Sequence, residues 1–541
     1  MKKQVSVLLC LAILLSLLCA CAVTPPKEED SSGEYVIHDP ALQVTTKTED
    51  HARVFYEIFV GSFSDSDNDG VGDLRGIINR MDYLNDGDPN SGRSLGIEGI
   101  WLTPIFKSPT YHKYGVSDYY TIDPKFGTMD DLRDLIQICH ERNVLLILDL
   151  TLNHSGDLND WFGKFVLAHR QGDTSSDFYN FYSWAGPGHP GMPGHAYHQI
   201  SGSEDSYECN FADSMPEYDM DNEVARQALL DVGRYYLDMG VDGFRVDAAK
   251  YVYYGDNRES AAFMKWYADE LRKYCPGVYM VGEVWDADAV IDEYYGAMNC
   301  FNFSVSQAEG LIAKAAAGSG VSNYTRYVDD YLDAVRARRD DATIMPFVSN
   351  HDMDRAAGFL PVSNGRMMMA ANVYLLGPGS PFIYYGEELG VKGSRGGSNT
   401  DANRRLAMPW GDRYTPHDPI GSDYPEKNRL KTTAREQLSD PYSLYTYYKT
   451  LLMIRHANPE IARGDYTALR SGSLGGFVSE WEGRAVCVLH NTTTDEQSVD
   501  LSSLSQHGFN VLAASVGLGE ASLDGTVLTL GPQTSAVLRV G

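Results

Sequence analysis

The chain of 541 residues is long enough for more than one domain, and its composition, with 43% hydrophobic and 22% charged residues, is that of a folded globular protein. Its formal net charge of −29 argues against nucleic acid as a partner, because binding phosphate requires clustered Lys and Arg. The acidic balance suits a soluble protein that acts on a neutral substrate, and the 35 Tyr residues offer flat rings with hydroxyl groups for such a substrate.

The N-terminus has the pattern of an export signal. Lys2 and Lys3 precede an apolar run over residues 5–18, which is too short to span a membrane comfortably. The following residues 18–21, Leu-Cys-Ala-Cys, resemble a bacterial lipobox, which predicts a signal peptide over 1–20 and a lipid on Cys21. An ordinary signal peptide beside a cysteine is the alternative. Residues 21–50 predict a flexible tether, so we expect an extracellular, cell-surface lipoprotein that contacts the membrane only through this anchor.

The cysteines beyond the leader do not form a recognisable framework. They are five in number, without a CxxC spacing, and comprise Cys139, Cys209, Cys275, Cys300 and Cys487. This pattern predicts neither a disulfide scaffold nor a zinc site, and a single bridge between two of them stays open.

From residue 51 onward, short β-branched and aromatic runs alternate with helical patterns, as is typical of βα units around a parallel sheet. The helical segment 129–142, for example, has an apolar stripe from Leu132 to Cys139. Eight strands are predicted, at 54–63, 99–105, 144–149, 243–247, 278–283, 300–305, 344–350 and 381–386. Eight such units predict the α/β class and a closed (β/α)8 TIM barrel.

Two interruptions of this pattern predict further domains. A long segment rich in Gly, Pro, Ser, Tyr and His follows the third strand, and an insertion of that length is usually functional or a subdomain. We therefore assign residues 51–154 and 216–458 to the barrel and 155–215 to an inserted domain. After a last barrel helix at 443–456, short alternating strands predict a C-terminal antiparallel β-domain over 459–541.

Polar side chains occur where the predicted strands end. In barrels of this kind the catalytic groups lie at the C-terminal ends of the strands, where a purely structural strand would stay apolar. The ends of strands three, four, five and seven carry Asp149 and His154, Arg245 and Asp247, Glu283, and His351 with Asp352. Any one of these residues alone is more simply a helix cap, an ion-pair partner or a structural histidine, but together they predict one catalytic mouth.

These four strand ends resemble the four signature regions of glycoside hydrolase family 13, the α-amylase family. Residues 379–388 are similar to the family's eighth-strand segment, and Met-Pro-Glu-Tyr-Asp at 215–219 stands in the place of its fifth region. The resemblance extends from about residue 52 to the C-terminus. It is nearest to secreted bacterial lipoprotein α-amylases that are intermediate between the oligo-1,6-glucosidase and neopullulanase subgroups.

The resemblance implies a retaining α-glucan hydrolase and assigns three catalytic carboxyls. A retaining enzyme needs two carboxyls about 5–5.5 Å apart, one to attack the anomeric carbon and one to protonate the leaving oxygen. Asp247, beside the guanidinium of Arg245, fits the nucleophile, and Glu283, with apolar neighbours in sequence, fits a general acid/base with a raised pKa. Asp352 resembles the third carboxylate, which binds sugar hydroxyls and keeps Glu283 protonated by its charge.

The same resemblance implies a set of substrate-binding residues. They are Tyr114, His154, Arg245, Lys250 and His351. Tyr114 corresponds to the tyrosine that stacks on the sugar at the cleavage point, although Gly115 stands where relatives usually carry Asp. The nearby Asp118 is expected to be structural.

An acidic loop after the first strand has the chemistry of a calcium site. Carboxylates recur at every second residue from Asp65 to Asp73, and hard oxygen ligands of this kind suit Ca²⁺. Position twelve is Gly76 rather than a bidentate Glu, so an EF-hand is not expected. The loop resembles the ion loop of the oligo-1,6-glucosidase and neopullulanase subgroups, which implies one structural Ca²⁺ with the ligands Asp65, Asp67, Asp69, Asp73 and the carbonyl of Val71. A solvated acidic turn is the alternative.

We therefore expect retaining endo-hydrolysis of α-1,4-glucosidic bonds in starch, maltodextrin or related α-glucans. The export signal favours attack on polymers, because the relatives that trim oligosaccharides are generally cytoplasmic. A neopullulanase-like or oligo-1,6-glucosidase-like specificity, or transglycosylation, is the alternative. A non-catalytic starch-binding protein is a further alternative, which the presence of all three carboxyls disfavours. The partner is an α-glucan polysaccharide or oligosaccharide, no nucleic acid is expected, and we expect a monomer.

Overall fold

The computed structural model describes residues 34–39, 42–395 and 401–541. Its strands are β1 (Val36–His38), β2 (Phe55–Ile58), β3 (Gly99–Leu102), β4 (Phe106–Lys107), β5 (Asp118–Ile122), β6 (Leu145–Thr151), β7 (Trp184–Ala185), β8 (Tyr197–Gln199), β9 (Ser206–Glu208), β10 (Gly243–Asp247), β11 (Tyr279–Gly282), β12 (Asn299–Cys300), β13 (Phe382–Tyr384), β14 (Asp465–Ser471), β15 (Leu474–Trp481), β16 (Arg484–Asn491), β17 (Gln497–Asp500), β18 (Val511–Gly517), β19 (Ala521–Asp524), β20 (Val527–Leu530) and β21 (Thr534–Arg539).

The α-helices in the same part of the chain are α1 (Leu74–Asn79), α2 (Met81–Leu84), α3 (Met129–Glu141), α4 (Asp160–Gln171), α5 (Glu223–Met239), α6 (Asn257–Tyr274), α7 (Asp288–Tyr294), α8 (Leu311–Ala316), α9 (Val321–Arg336), α10 (Ala356–Phe359), α11 (Arg366–Leu375), α12 (Ala434–Ser439), α13 (Leu444–Ala457) and α14 (Glu460–Arg463). Among the described residues, none of the helices has the length and apolar character needed to cross a bilayer. The predicted signal peptide, Cys21 and residues 22–33 of the predicted tether lie outside the described residues.

The centre of the fold is the predicted (β/α)8 barrel. Seven parallel strands pair in the order β12-β11-β10-β6-β3-β2-β13, and each coincides with a predicted strand. The predicted strand at 344–350 is wrong as a regular strand. Single parallel bridges at Met345 and Phe347 join β12 to β13 in its place and close the ring. The interruption has a local cause, because Pro346 has no N–H to donate to a ladder.

The barrel is filled with side chains and is closed as a channel. A cluster of inward-facing residues includes Phe55, Trp101, Tyr279, Phe301 and Phe382, all of them buried. The rings of Phe55 and Phe382 stack with their centroids 4.8 Å apart, so the first and eighth strand positions are packed together at the core. This packing fixes the directions in which the strand ends point their polar side chains.

The residues between β6 and α5 form a small domain on the C-terminal side of the barrel. Helix α4 and the antiparallel sheet β7-β9-β8 make up its body. Its last residues return to the barrel, where His154 and Glu217 form an antiparallel bridge. The insertion therefore ends against the segment that follows barrel strand β6.

The C-terminal domain contains an antiparallel sheet in the order β1-β18-β21-β16-β15-β14 and a second sheet of β17, β20 and β19. Strand β1 corrects the prediction of a flexible tether over 21–50, because Val36–His38 pairs with β18. The reason is local hydrophobicity: Tyr35 is buried, and its ring packs edge-on against Tyr447 at 4.9 Å. The predicted polar tether thus contains residues with enough apolar surface to join the domain.

The segment between β1 and β2 is held against the N-terminal end of the barrel. Arg53 donates to the carbonyls of Thr48 at 3.0 Å and Asn143 at 2.7 Å. Asp50 forms a bidentate pair with Arg463, at 2.7 and 2.8 Å. These contacts attach the incoming chain to the barrel on the side opposite the strand ends predicted to be catalytic.

A pair of buried carboxyls lies after β13, outside the predicted catalytic mouth. Glu387 Oε1 accepts from the hydroxyls of Tyr374 at 2.7 Å and Tyr448 at 3.0 Å. Its Oε2 atom has no hydrogen-bond partner in the described part of the chain, and the same holds for Oε2 of Glu388. Burial raises the pKa of Glu387 to about 7, with a smaller contribution from the charge of Glu388.

Glu387→Gln should therefore change how stability depends on pH. A carboxyl whose pKa is higher in the folded than in the unfolded chain stabilises the fold fully below pH 4.5, and this contribution is lost as the pH rises through 7. Glutamine keeps the neutral form at every pH, so the midpoint of thermal unfolding should fall less between pH 5 and pH 8, by roughly 3 °C. The exposed Glu141→Gln is the control. Equal falls in the variant and the wild type would contradict the assignment.

Candidate active site

A buried arginine at the C-terminal end of β10 organises the predicted site. The side chain of Arg245 is 0% exposed, and its Nη1 atom lies 2.8 Å from Asp149 Oδ1 and 2.7 Å from Asp247 Oδ1. Its Nη2 atom lies 3.0 Å from Glu283 Oε2. One guanidinium therefore contacts three carboxyls from the ends of β6, β10 and β11, which brings the two predicted catalytic carboxyls together.

Asp247 and Glu283 differ from the predicted electrostatics in the cause of their shifts. Burial raises the pKa of Asp247, and the charge of Arg245 lowers it only in part. Burial also raises the pKa of Glu283, as predicted, but its surroundings are charged rather than apolar: Arg245 lowers the pKa, and the carboxylates of Asp247 and Asp352 raise it. The arrangement places a carboxyl that favours a proton beside one that contacts a permanent cation.

Asp352 lies on the opposite side of the mouth in a ring of charged groups. Its Oδ1 accepts from Arg405 Nη2 at 2.6 Å, and its Oδ2 lies 3.2 Å from His351 Nε2. His351 Nδ1 lies 2.6 Å from Glu57 Oε1. Although burial opposes both shifts, Asp352 and Glu57 raise the pKa of His351 to about 10, and His351 and Arg405 hold the pKa of Asp352 well below its usual range. We therefore assign a charged imidazolium to His351 at neutral pH.

Tyr114 joins the two groups of charges. Its hydroxyl donates to Asp149 Oδ2 at 3.0 Å and lies 2.7 Å from His351 Nε2, whose N–H is the donor in a charged imidazolium. The ring of Tyr114 is stacked parallel to that of His351, with centroids 5.5 Å apart. A buried salt bridge of Lys113 with Asp123, at 2.8 Å, supports this loop where relatives carry Asp in place of Gly115.

The other predicted substrate-binding residues occupy different surroundings. His154 is buried, and its Nε2 atom has no hydrogen-bond partner among the residues described here, so it is free to bind a hydroxyl of a ligand. Burial lowers the pKa of His154 to about 4, which keeps the ring neutral. Lys250 instead donates to the carbonyl of Trp285 and to Asp286, both at 2.8 Å. Its predicted contact with substrate would require sharing or leaving these partners.

Two residues of the site were not singled out from the sequence. Glu57 lies inside the run Phe-Tyr-Glu-Ile of β2, where it resembles an ordinary strand residue. Arg405 lies in a segment without periodicity after β13, and its Nε atom donates to the carbonyl of His351 at 3.0 Å. The only sequence signal for Glu57 is a charged residue within an otherwise apolar buried strand. Nothing in the sequence pattern distinguishes Arg405.

The acidic loop after β2 brings three of the four predicted carboxylates together. One oxygen each of Asp65, Asp67 and Asp73 lies within 4.8 Å of the others, and Asp65 and Asp73 are buried. Asp69 is not part of this group, because its Oδ1 accepts from the N–H of Val71 at 2.8 Å. A cluster of hard, anionic oxygens fits the donor set that Ca²⁺ prefers.

Comparison with known proteins places these features in a wider context. The family model described as "Alpha amylase, catalytic domain" matches residues 57–464. "Alpha-amylase 3" of Dictyoglomus thermophilum is 31% identical over 494 residues, which are 90% of this chain and 93% of that protein. The "Cyclomaltodextrinase" of Thermoanaerobacter pseudethanolicus is 28% identical over 481 residues, covering 86% and 71% of the two chains. A solved structure described as "Eubacterium rectale Amy13B" has a TM-score of 0.83 and 32% identity, and covers 96% of this chain and 99% of that one.

Proposed function

Because the chain belongs to the α-amylase family of glycoside hydrolases, family 13, we propose that it hydrolyses internal α-1,4-glucosidic bonds of starch and maltodextrins with retention of configuration. The observation that carries the proposal is the position of Arg245, whose two terminal nitrogens contact Asp247 and Glu283. Two carboxyls held by one guanidinium leave no room for a water molecule between nucleophile and sugar, which favours the double-displacement route.

In the first step Asp247 attacks the anomeric carbon as the bond to the leaving oxygen breaks. Glu283 transfers its proton to that oxygen, so that the departing sugar leaves as an alcohol. The carboxylate of Asp247 becomes an ester, and the negative charge moves to Glu283. Arg245 contacts both groups and therefore remains paired with a carboxylate on either side of the step.

In the second step a water molecule attacks the same carbon from the side that the leaving group has vacated. Glu283 now accepts the proton of this water, and the ester bond to Asp247 breaks. Asp352 and the neutral His154 bind sugar hydroxyls during both steps, the first as an ionised acceptor and the second through its unpartnered Nε2 atom. A sugar acceptor in place of water would give transglycosylation by the same route.

Attack inside a chain requires room for sugar units beyond the cleavage point. Two exposed aromatic side chains flank the mouth: Trp285, 44% exposed and stacked on Phe303, and Phe211, 45% exposed and 5.5 Å from the ring of His154. Such rings offer flat faces to sugars, and Trp285 lies two residues after the proposed acid. They support an open cleft and hence an endo-acting enzyme.

Product analysis on amylose, pullulan and isomaltose tests this specificity. We expect maltooligosaccharides of several lengths to appear early from amylose, with the α-anomer formed first, and little glucose from isomaltose. Panose from pullulan would indicate a neopullulanase-like specificity instead. Glucose as the sole early product from isomaltose would overturn the endo-α-1,4 assignment.

We also propose one structural Ca²⁺ in the loop from Asp65 to Asp73. Asp65, Asp67 and Asp73 would bind the ion, and within the part of the chain that the structure describes no Lys or Arg forms an ion pair with them. Buried carboxylates without a cationic partner are unfavourable, and a divalent ion removes this repulsion. Asp69 and the Val71 carbonyl remain predicted ligands, which require a small movement of the Asp69 side chain.

Removal of the ion is expected to destabilise the protein. Treatment with EGTA should lower the midpoint of thermal unfolding by several degrees, and Ca²⁺ added back should restore it, because an ion that binds only the folded chain stabilises it by mass action. Asp73→Asn should have a lower midpoint and no response to EGTA. Asp88→Asn, in another acidic turn, is the control. An unchanged midpoint of the wild-type protein in EGTA would refute the site.

The location of the enzyme is a proposal from the leader sequence alone. Residues 1–20 and Cys21 support export and attachment at the outer cell surface, where a polymer is accessible. Cys21→Ser should move the protein from the membrane fraction to the soluble fraction. An unchanged distribution would contradict the anchor.

A further inference from the structure

The residues that follow Asp247 bind the segment that carries Glu283. The N–H of Ala248 donates to Glu283 Oε2 at 3.0 Å, and the N–H of Ala249 donates to the Glu283 carbonyl at 3.0 Å. The Glu283 N–H donates to the carbonyl of Val246 at 2.9 Å. Only the first of these bonds reaches the carboxyl group, so Ala248 is the backbone link between the nucleophile and the functional end of the acid/base.

Ala248 has a backbone conformation that alanine rarely adopts. Its φ of 47° and ψ of 37° lie in the left-handed region, which costs a residue with a Cβ roughly 1–2 kcal/mol. Asn68 and Asn143 also have positive φ, but an asparagine side chain can compensate through a local hydrogen bond and an alanine side chain cannot. Such strain persists only where the surrounding structure imposes it, and it is concentrated at functional sites.

We propose that Ala248 is a positioning residue for the acid/base: its left-handed conformation directs its N–H at Glu283 and thereby fixes that carboxyl relative to Asp247. This inference rests on the proposed function, because it concerns Glu283 as proton donor. Asp247 and Ala248 are consecutive, so a carboxyl bound to the Ala248 N–H moves relative to the nucleophile only if the peptide bond between them turns. The contact through Arg245 joins three flexible side chains and lacks this constraint.

The same hydrogen bond acts on the proton of Glu283. Burial and the carboxylates of Asp247 and Asp352 raise the pKa of Glu283, while Arg245 and the Ala248 N–H lower it. These are the charged groups that act on the carboxyl, and they remain in place when only the N–H is removed. Loss of the N–H must then raise the pKa of Glu283, because a donor to the ionised form has gone.

An ester bond at position 248 tests the proposal directly. Lactic acid in place of alanine in the full-length protein removes the N–H and keeps both the methyl side chain and the fold. We expect kcat on maltoheptaose to fall about tenfold with KM within about twofold, because the acid is misplaced without loss of sugar contacts. The alkaline limb of the kcat/KM profile should move to higher pH. A residue that only supports the fold would not move this limb.

The matched control is an ester at position 249, whose N–H binds the Glu283 carbonyl and not its carboxyl. It should leave the alkaline limb where it is in the wild type. Should the 248 ester not fold, Ala248→Gly frees the same backbone: kcat should fall while the thermal midpoint stays or rises. Glu482→Gly, which relieves a left-handed residue in the turn between β15 and β16, should change neither rate nor pH profile.

The outcomes separate this inference from the proposed function. A wild-type pH profile in the 248 ester, or a wild-type kcat in Ala248→Gly, overturns the positioning role and leaves glucan hydrolysis intact. Failure of the wild-type protein to hydrolyse any α-glucan overturns the proposed function itself.

Discussion

Asp247→Asn is expected to lower kcat on soluble starch by roughly four orders of magnitude or more, because the amide cannot form the ester with the anomeric carbon. The fold should be retained, since the amide oxygen of asparagine can still accept from Arg245 Nη1, which lies 2.7 Å from Asp247 Oδ1. Retardation by starch in native gels should therefore stay close to that of the wild type. Initial rates by reducing-sugar release and the thermal midpoint measure the two effects separately.

Asp118→Asn is the matched control for the nucleophile variant. Asp118 lies on β5, where its carboxyl accepts from the Tyr120 N–H at 2.9 Å and the Thr121 hydroxyl at 2.6 Å. Its loss should change the rate by less than about twofold, as for most substitutions outside a site. If Asp247→Asn kept more than a small fraction of the wild-type rate, Asp247 would not be the nucleophile.

Glu283→Gln is expected to separate substrates by their leaving groups. Hydrolysis of starch should fall by about three orders of magnitude, because a sugar alkoxide is a poor leaving group without a proton. An aryl maltotrioside with a nitrophenolate leaving group needs no proton, so its first step should lose far less. Azide should then accelerate turnover, since this anion attacks the ester without a general base, and the product should be the α-glycosyl azide.

The exposed Glu293→Gln on α7 is the control for the acid/base variant and should behave like the wild type on both substrates. The anomeric form of the azide product carries further information. A β-azide from Glu283→Gln would mean that azide had replaced the nucleophile rather than water, and the two carboxyl assignments would have to be exchanged.

The ends of the barrel strands could be predicted because two independent regularities meet there. Alternation of strand and helix patterns places Asp247 and Glu283 at the same rim, and polar residues after buried strands have few structural uses. Glu57 and Arg405 follow no such regularity. They meet at His351 because β2 and β13 are neighbours in a closed ring, a contact across almost the whole chain that no local pattern encodes.

Two errors of the sequence prediction have simple physical reasons. A strand was expected at 344–350, where the apolar run is right but Pro346 interrupts the ladder. A flexible segment was expected over 21–50, where the average polarity hides the short apolar stretch from Tyr35 to Ile37. In both places one or two residues outweigh the composition of the window around them.

The attachment of the incoming chain has a practical consequence for handling the enzyme. Strand β1 joins the C-terminal domain, and Arg53 and Asp50 bind the chain to the N-terminal end of the barrel before β2 begins. Asp247 and Glu283 lie at the other end of the strands. A bead, a display scaffold or a fusion partner joined ahead of residue 34 therefore leaves the cleft turned outward, so N-terminal immobilisation should preserve access for long polymers that a linkage near the cleft would obstruct.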